Sequence, residues 1–232
     1  MAFTFGPRLS SVFTNNYAAV SNGSQQIRPP IGWSGFNDNT PFATSFWLKI
    51  PVGSATSGFI ANIGAPAAIP RIGFTSNVAS NFGSYIQVTT STGISTIRTR
   101  DNSHRDGNWH HHLWCYDGTG DLGVFGKWTL YQDGALLAFV GPDSNGSGTS
   151  NEILTGGSVL SSNNTGYYID EFAIFNSNPS AEVIYNGGLP GDLTSLSPLN
   201  WWRLENDSID SGIRAEISIL TALSTFTTDI PS

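Results

Sequence analysis

The stretch Phe42-Ala43-Thr44-Ser45-Phe46-Trp47-Leu48-Lys49-Ile50 places Phe42, Phe46, Leu48 and Ile50 on one face and Trp47 and Lys49 on the other. Successive side chains of a strand point to opposite sides, so this period of two marks a β-strand with a buried face. The same signal predicts strands at 58–63, 71–75, 84–90, 94–99, 109–116, 167–175 and 199–204, each bounded by Gly, Pro, Asn or Ser. Residues 128–140 read as a hairpin around Asp133-Gly134, a pair suited to a type I′ turn in which both central residues need positive φ. Residues 180–186 alone look helical, with Ser180 as a possible cap and Gly187 in the left-handed position at the end. Many short strands without alternating helices predict an all-β fold: a jelly-roll β-sandwich of two antiparallel sheets with one short helix.

Composition supports this and removes several function classes. Gly, Ser, Thr and Asn fill about two-fifths of the 232 residues, which favours turns over helices. The formal net charge is −7 with 10 Lys and Arg against 17 Asp and Glu, so there is no basic stripe for nucleic acid or for an acidic membrane surface. No run approaches the roughly 18 apolar residues of a membrane span. Cys115 is the single cysteine, which excludes an intrachain disulfide and any site of clustered thiolates. Residues 1–8 lack the basic start and apolar run of a signal peptide. The Gly/Ser/Asn-rich run 142–151 reads as a loop between strands rather than a domain boundary.

Four blocks carry a resemblance. They are Pro41-Phe42-Ala43-Thr44-Ser45-Phe46-Trp47-Leu48-Lys49, Gly107-Asn108-Trp109-His110-His111-His112-Leu113-Trp114, Leu130-Tyr131-Gln132-Asp133-Gly134, and Tyr168-Ile169-Asp170-Glu171-Phe172 followed by Ser180-Ala181-Glu182-Val183-Ile184-Tyr185-Asn186-Gly187. In this order they resemble the laminin-G-like, or concanavalin A-like, lectin/glucanase superfamily. The tail, with Leu189-Pro190-Gly191-Asp192-Leu193, Asn200-Trp201-Trp202-Arg203-Leu204, Asp210-Ser211-Gly212 and Asp229-Ile230-Pro231, resembles laminin-G-like proteins of tailed, particularly marine, phages. There such domains are virion structural proteins. The resemblance implies a sandwich over residues 1–198 and a C-terminal strand and extension over 199–232, packed on the sandwich or on a partner.

Three departures qualify it. The helix is shorter than usual, the first strand carries Asn15 and Asn16 where aspartates are common, and the loop 156–166 has no acid. The equivalent loop of the pentraxin branch holds calcium, so no cofactor is expected here. Asn37-Asp38-Asn39 could supply oxygens to Ca²⁺, but these residue types also form turns unaided.

The remaining chemistry is read as structural. His110 and His112 share a face of their strand, but two histidines fall short of the three or four protein ligands of a Zn²⁺ site. Asp170 and Glu171 are neighbours on a strand and should point apart, Glu171 towards solvent or the helix. The superfamily's glucanases carry an E-x-D-x-x-E strand, absent here, whose acids must flank one glycosidic bond. Cys115 reads as a small buried hydrophobe. Trp33, Trp201 and Trp202 could stack on sugars if exposed, and core or interface is the commoner role.

The expected function is therefore non-enzymatic: a virion structural or decoration protein, localised to the virion and made in the host cytoplasm. It would form homo-oligomers and contact a capsid or tail protein. The alternative is a lectin-like module for a host-surface polysaccharide, with glycoside hydrolysis third. An assembly contact is expected at Trp201, Trp202, Ile217, Ile219 and Leu220, because the sandwich blocks end near residue 190 and one of two consecutive indoles must leave the inner face.

Overall fold

The computed structural model describes residues 13–22, 26–28, 39–54, 58–63, 71–76, 84–90, 93–99, 103–120, 122, 124–142, 160–161, 165–205, 211–212, 219–221 and 225–232. In chain order the strands are β1 (Ala18–Asn22), β2 (Gln26–Arg28), β3 (Phe42–Lys49), β4 (Gly58–Ile63), β5 (Arg71–Ser76), β6 (Ser84–Thr90), β7 (Gly93–Thr99) and β8 (Trp109–Tyr116). They continue with β9 (Trp128–Gln132), β10 (Ala135–Leu136), β11 (Phe139–Pro142), β12 (Leu160–Ser161), β13 (Thr165–Phe175), β14 (Asn200–Trp202), β15 (Ile219–Thr221) and β16 (Thr225–Thr227). One short helix, α1 (Ala181–Tyr185), follows β13.

These strands form the expected antiparallel sandwich. The larger sheet runs β10-β9-β8-β3-β13-β1-β16, with β14 also on β13; the second runs β11-β7-β6-β5-β4; and β12-β2-β15 form a small third sheet. The core lies between the two larger sheets. Phe42, Phe46, Leu48, Trp114, Phe172 and Trp202 come from the first, and Ile86, Val88 and Ile97 from the second. Phe46 stacks on Phe172 at 5.7 Å between ring centroids, and Phe172 meets Trp202 at 6.1 Å.

The outer face of the large sheet is also covered, which the alternation in β3 does not announce. Ala43, Leu113, Cys115, Ala173, Phe175 and Trp201 form a second apolar cluster with Ile184 of α1 and Leu193. Trp47 is 4% exposed, and its ring stacks on Tyr185 at 6.0 Å. β3 is therefore buried on both faces rather than one. Helix α1 ends with Asn186 at φ 50° and Gly187 at φ 67°, so an asparagine precedes the glycine in the left-handed region. Ser180 occupies the N-cap position without a side-chain cap.

The hairpin is shorter than the sequence predicts. Asp133 and Gly134 have φ of 52° and 75°, as a type I′ turn requires. β10, however, ends at Leu136, and β11 crosses to pair with β7 of the other sheet. Gly118 marks a close approach: at φ 74°, a Cβ there would lie 2.2 Å from the Pro41 backbone nitrogen.

The C-terminal residues fold back onto the sandwich. β14 pairs with β13 (Trp202 opposite Phe172, Trp201 opposite Ala173), and β16 pairs with the outer edge of β1. Trp202 faces the inner core at 0% exposed, and Trp201 lies on the outer face at 3%. Phe13 stacks on Trp201 at 6.2 Å. The indole that leaves the inner face is thus covered by the chain's own segments, so neither tryptophan is open to a partner in the folded chain. Ile219 and Leu220 stand on β15, and Ile217 lies outside the described residues, as do Trp33, Asn37, Asp38 and most of 142–151.

Trp202→Ala is expected to cost about 3–5 kcal/mol, read as a lower urea midpoint. Truncation after Asn200 removes both indoles and uncovers the β1 edge. That loss is comparable with the roughly 5–15 kcal/mol stability of a whole domain, so the shortened chain should lose its cooperative melt and aggregate.

Candidate functional site

Cover over the outer face thins beyond the Trp47–Tyr185 stack. The next row is set by register: Lys49 at the end of β3 stands opposite Trp109 at the start of β8 and Tyr168 on β13. Directly opposed residues share a face, and the three half-buried side chains gather there. The Trp109 and Tyr168 rings lie 6.3 Å apart in a T-shaped arrangement, and the Lys49 ammonium sits 5.7 Å from the Tyr168 centroid. Residues 228–232, which follow β16, arrive across this row. The Asp229 carboxylate accepts from Lys49 Nζ at 2.6 Å and from Trp109 Nε1 at 3.1 Å. A cleft of about 340 Å³ opens here, lined by Lys49, Gly107, Asn108, Trp109, Asp229 and Ile230, among others. Asn108 is held by Asp106, which accepts from its backbone N–H and from Nδ2, both at 2.8 Å. An indole, an amide, a carboxylate and an ammonium thus border one concavity, and the Tyr168 ring backs the indole and the ammonium.

Sequence reasoning placed Trp109 and Lys49 on strands without joining them. The joining signal was the β3–β8 register, fixed by the hydrophobic pattern of both strands. Nothing in the sequence brought Asp229 to them from 180 residues away.

Asp170 and Glu171 were expected to point apart, with Glu171 outward. The structure corrects this. β13 has a register shift between Asp170 and Ala173, and Glu171 takes φ 49°, so alternation fails at this point. Both side chains are buried, at 0% and 3% exposed. Asp170 accepts from Asn15 Nδ2 and from the Glu171 backbone N–H, at 2.8 and 2.9 Å. Glu171 accepts from Trp201 Nε1 at 2.5 Å, and Arg203 Nε lies 3.6 Å from its other oxygen. Burial, reinforced by the charge of Glu171, holds Asp170 well above the usual carboxylate range. Burial also pushes Glu171 up to about 8, against the opposing pull of Arg203 and Trp201. Both acids thus sit buried inside the protein wall, with the Trp201 indole bonded to Glu171.

All four histidines of the chain fall within residues 104–112. His110 Nδ1 bonds Asp133 at 2.6 Å, and His111 Nε2 bonds Ser45 at 2.8 Å. His112 stacks on Phe46 at 5.4 Å and meets His104 edge-on at 5.7 Å. His110 and His112 therefore have separate partners rather than a common one. Burial drives His111 down to about 4 and His112 well below its ordinary value. Cys115 is buried, and its thiol is pushed up to about 12. Among the described residues no three His, Cys, Asp or Glu side chains are grouped to hold a metal, and no helix is long and apolar enough to cross a membrane.

The pH dependence of stability follows from these groups. Between the ordinary 4.5 of a glutamate and about 8, folded Glu171 keeps a proton that the unfolded chain has released. Stability therefore falls as pH rises through this window. Asp170 acts in the same direction, and so does His110, raised by its bond to Asp133. His111 and His112 act oppositely, and their contribution is lost as pH falls below about 6.5. Glu171→Gln should flatten the alkaline limb: thermal melts at pH 6.5 and 8 are expected to differ less for the variant than for the wild type.

Comparison with known proteins agrees with this architecture. No curated protein sequence matches the chain. Among solved structures it is similar to a Bacteroides ovatus protein proposed to bind carbohydrate (TM-score 0.57, 13% identity), covering 94% of this chain and 62% of that one. It is also similar to a heptameric SAP-like pentraxin of Limulus polyphemus (TM-score 0.50, 9% identity), covering 94% and 96%. At these identities the likeness shows the fold. The Laminin_G_3 family model, described as the concanavalin A-like lectin/glucanases superfamily, matches residues 14–185. With its four blocks in order on an antiparallel sandwich, the chain belongs to the concanavalin A-like lectin/glucanase superfamily.

Proposed function

We propose that the chain is a non-catalytic, lectin-like module that binds polysaccharide in the Trp109 cleft. The observation that carries this reading is the half-buried Trp109 indole, backed by Tyr168, beside Asn108, Lys49 and Asp229 in one concavity. Sugar rings offer apolar C–H faces that stack on aromatic rings, and hydroxyls that need fixed polar partners. The sealed Asp170–Glu171 pair supports the non-catalytic side: hydrolysis needs two carboxyls reaching one bond from roughly 5–9 Å apart, and here both are consumed by Asn15, Trp201 and Arg203.

A second reading is compatible with the first. The tail resembles that of phage laminin-G-like proteins, which supports a virion structural or decoration role with self-assembly and a capsid or tail partner. Ile219 and Leu220 stand on β15, which pairs with β2 and lies at an edge of the small sheet among the described residues. An edge strand of this kind can pair with another chain. This reading places the assembly contact there instead of at the buried tryptophans.

Affinity electrophoresis through gels carrying neutral and acidic polysaccharides tests the binding reading. The wild type is expected to be retarded by at least one polymer. Trp109→Ala should lose the retardation at least tenfold with a melting temperature close to that of the wild type, because Trp109 stands at a strand end. Retardation unaffected by Trp109→Ala would defeat the reading. No reducing ends should be released from β-glucan, and their appearance, if lost in Glu171→Gln, would restore the hydrolase.

A further inference from the structure

The contact between Asp229 and the cleft has the form of a receptor with its ligand in place. One carboxylate is held at both oxygens, Oδ2 by the Lys49 ammonium at 2.6 Å and Oδ1 by the Trp109 indole N–H at 3.1 Å. Two converging donors, one of them charged, are what carboxylate recognition requires. The rest of the site fits a sugar that carries such a group, with the Trp109 and Tyr168 rings beside the donors and the Asn108 amide fixed by Asp106. The occupant is poorly secured: the Asp229 side chain is 41% exposed and that of Lys49 is 21%. An ion pair this open to water is weak. Asp229 is further held by its backbone N–H, which bonds Thr227 Oγ1 at 3.2 Å.

We propose that the cleft is a receptor for the carboxylate of an acidic saccharide, and that Asp229 fills it in the free chain. The inference rests on the reading of the Trp109 cleft as a sugar site and names the sugar class. A uronic acid residue would place its carboxylate between Lys49 and Trp109 and its ring against the Trp109 indole, and Asp229 would swing out. Asp229 is then an internal competitor. If it occupies the receptor four-fifths of the time, the competent fraction is one-fifth, and the apparent Kd is raised fivefold.

Calorimetric titration with tri-galacturonic acid, and with its uncharged counterpart galactotriose, tests this in 0.15 M salt. Asp229→Asn removes the charge that competes for Lys49 and keeps an oxygen for the indole. It is expected to tighten tri-galacturonic acid about fivefold or more and to leave galactotriose unchanged. Adding Lys49→Met to that variant should abolish the gain. Asp229→Ala should behave as Asp229→Asn does, and it serves in place of that variant if that one fails to fold. Unchanged uronate affinity in both tail variants, or equal tightening of the neutral sugar, overturns the proposal. Galactotriose binding that depends on Trp109 without any uronate preference would leave the cleft a sugar site and remove the carboxylate receptor. If neither sugar binds the wild type or the tail variants, the carboxylate receptor falls, and the polymer gels alone decide the sugar reading.

Discussion

One edge of β13 is shared by two strands from opposite ends of the chain. β1 takes the first half, opposite Ile169 and Tyr168, and β14 takes the second, opposite Phe172, Ala173 and Ile174. Between them lie Asp170 and Glu171, at the bulge. The segments leading into β1 and out of β14 are sutured there: Arg203 donates to the Thr14 carbonyl, Glu205 accepts from the Asn16 backbone N–H at 2.8 Å, and the Arg203 guanidinium lies 4.5 Å from the Phe13 centroid. Two non-glycine residues, Glu171 and Leu204, hold φ of 49° and 59° at this junction. Such conformations cost on the order of 1–3 kcal/mol each, and surrounding structure must over-determine them. Trp201 and Trp202 supply that determination by filling the outer and inner faces beside the bulge.

The suture explains why the acids are where they are. A carboxylate at 0% exposure is tolerated when it is neutral or fully bonded, and this pair meets both conditions in part: Asp170 through Asn15 and a backbone N–H, Glu171 through Trp201 and Arg203. Breaking a pair of this kind by removing one partner costs more than never having had it.

Strands such as β3, β8 and β13 were legible because a buried inner face imposes a period of two, whereas the first strand, expected at 13–17, forms at Ala18–Asn22 and the short β2, β12, β15 and β16 carry too few residues to show a period. The turn Asp133-Gly134 was legible because few residue pairs accept two positive φ values. The bulge was not, since Glu171 has none of the conformational freedom that would mark it. The crossing of β11 was also hidden, because Phe139 continues the hydrophobic pattern of the hairpin while pairing with Thr99 on the other sheet. The burial of Trp201 could not be read from its own strand, because its cover comes from other segments, Phe13 near the start of the chain and α1 and Leu193 before β14. Of the cleft, the aromatic and the lysine were visible as strand residues. Their convergence depended on register, and their occupant on the path of the tail.

The acidity of the chain bears on what such a cleft can hold. A net charge of −7 repels a polyanion at long range, but at physiological salt the field of exposed charges is screened beyond about 8 Å. Inside that distance the local groups decide, and at Lys49 they already hold a carboxylate against the sign of the whole molecule. On the proposed reading, therefore, the cleft engages one carboxylate of a saccharide, set beside the Trp109 ring face, whatever the charge of the rest of the chain.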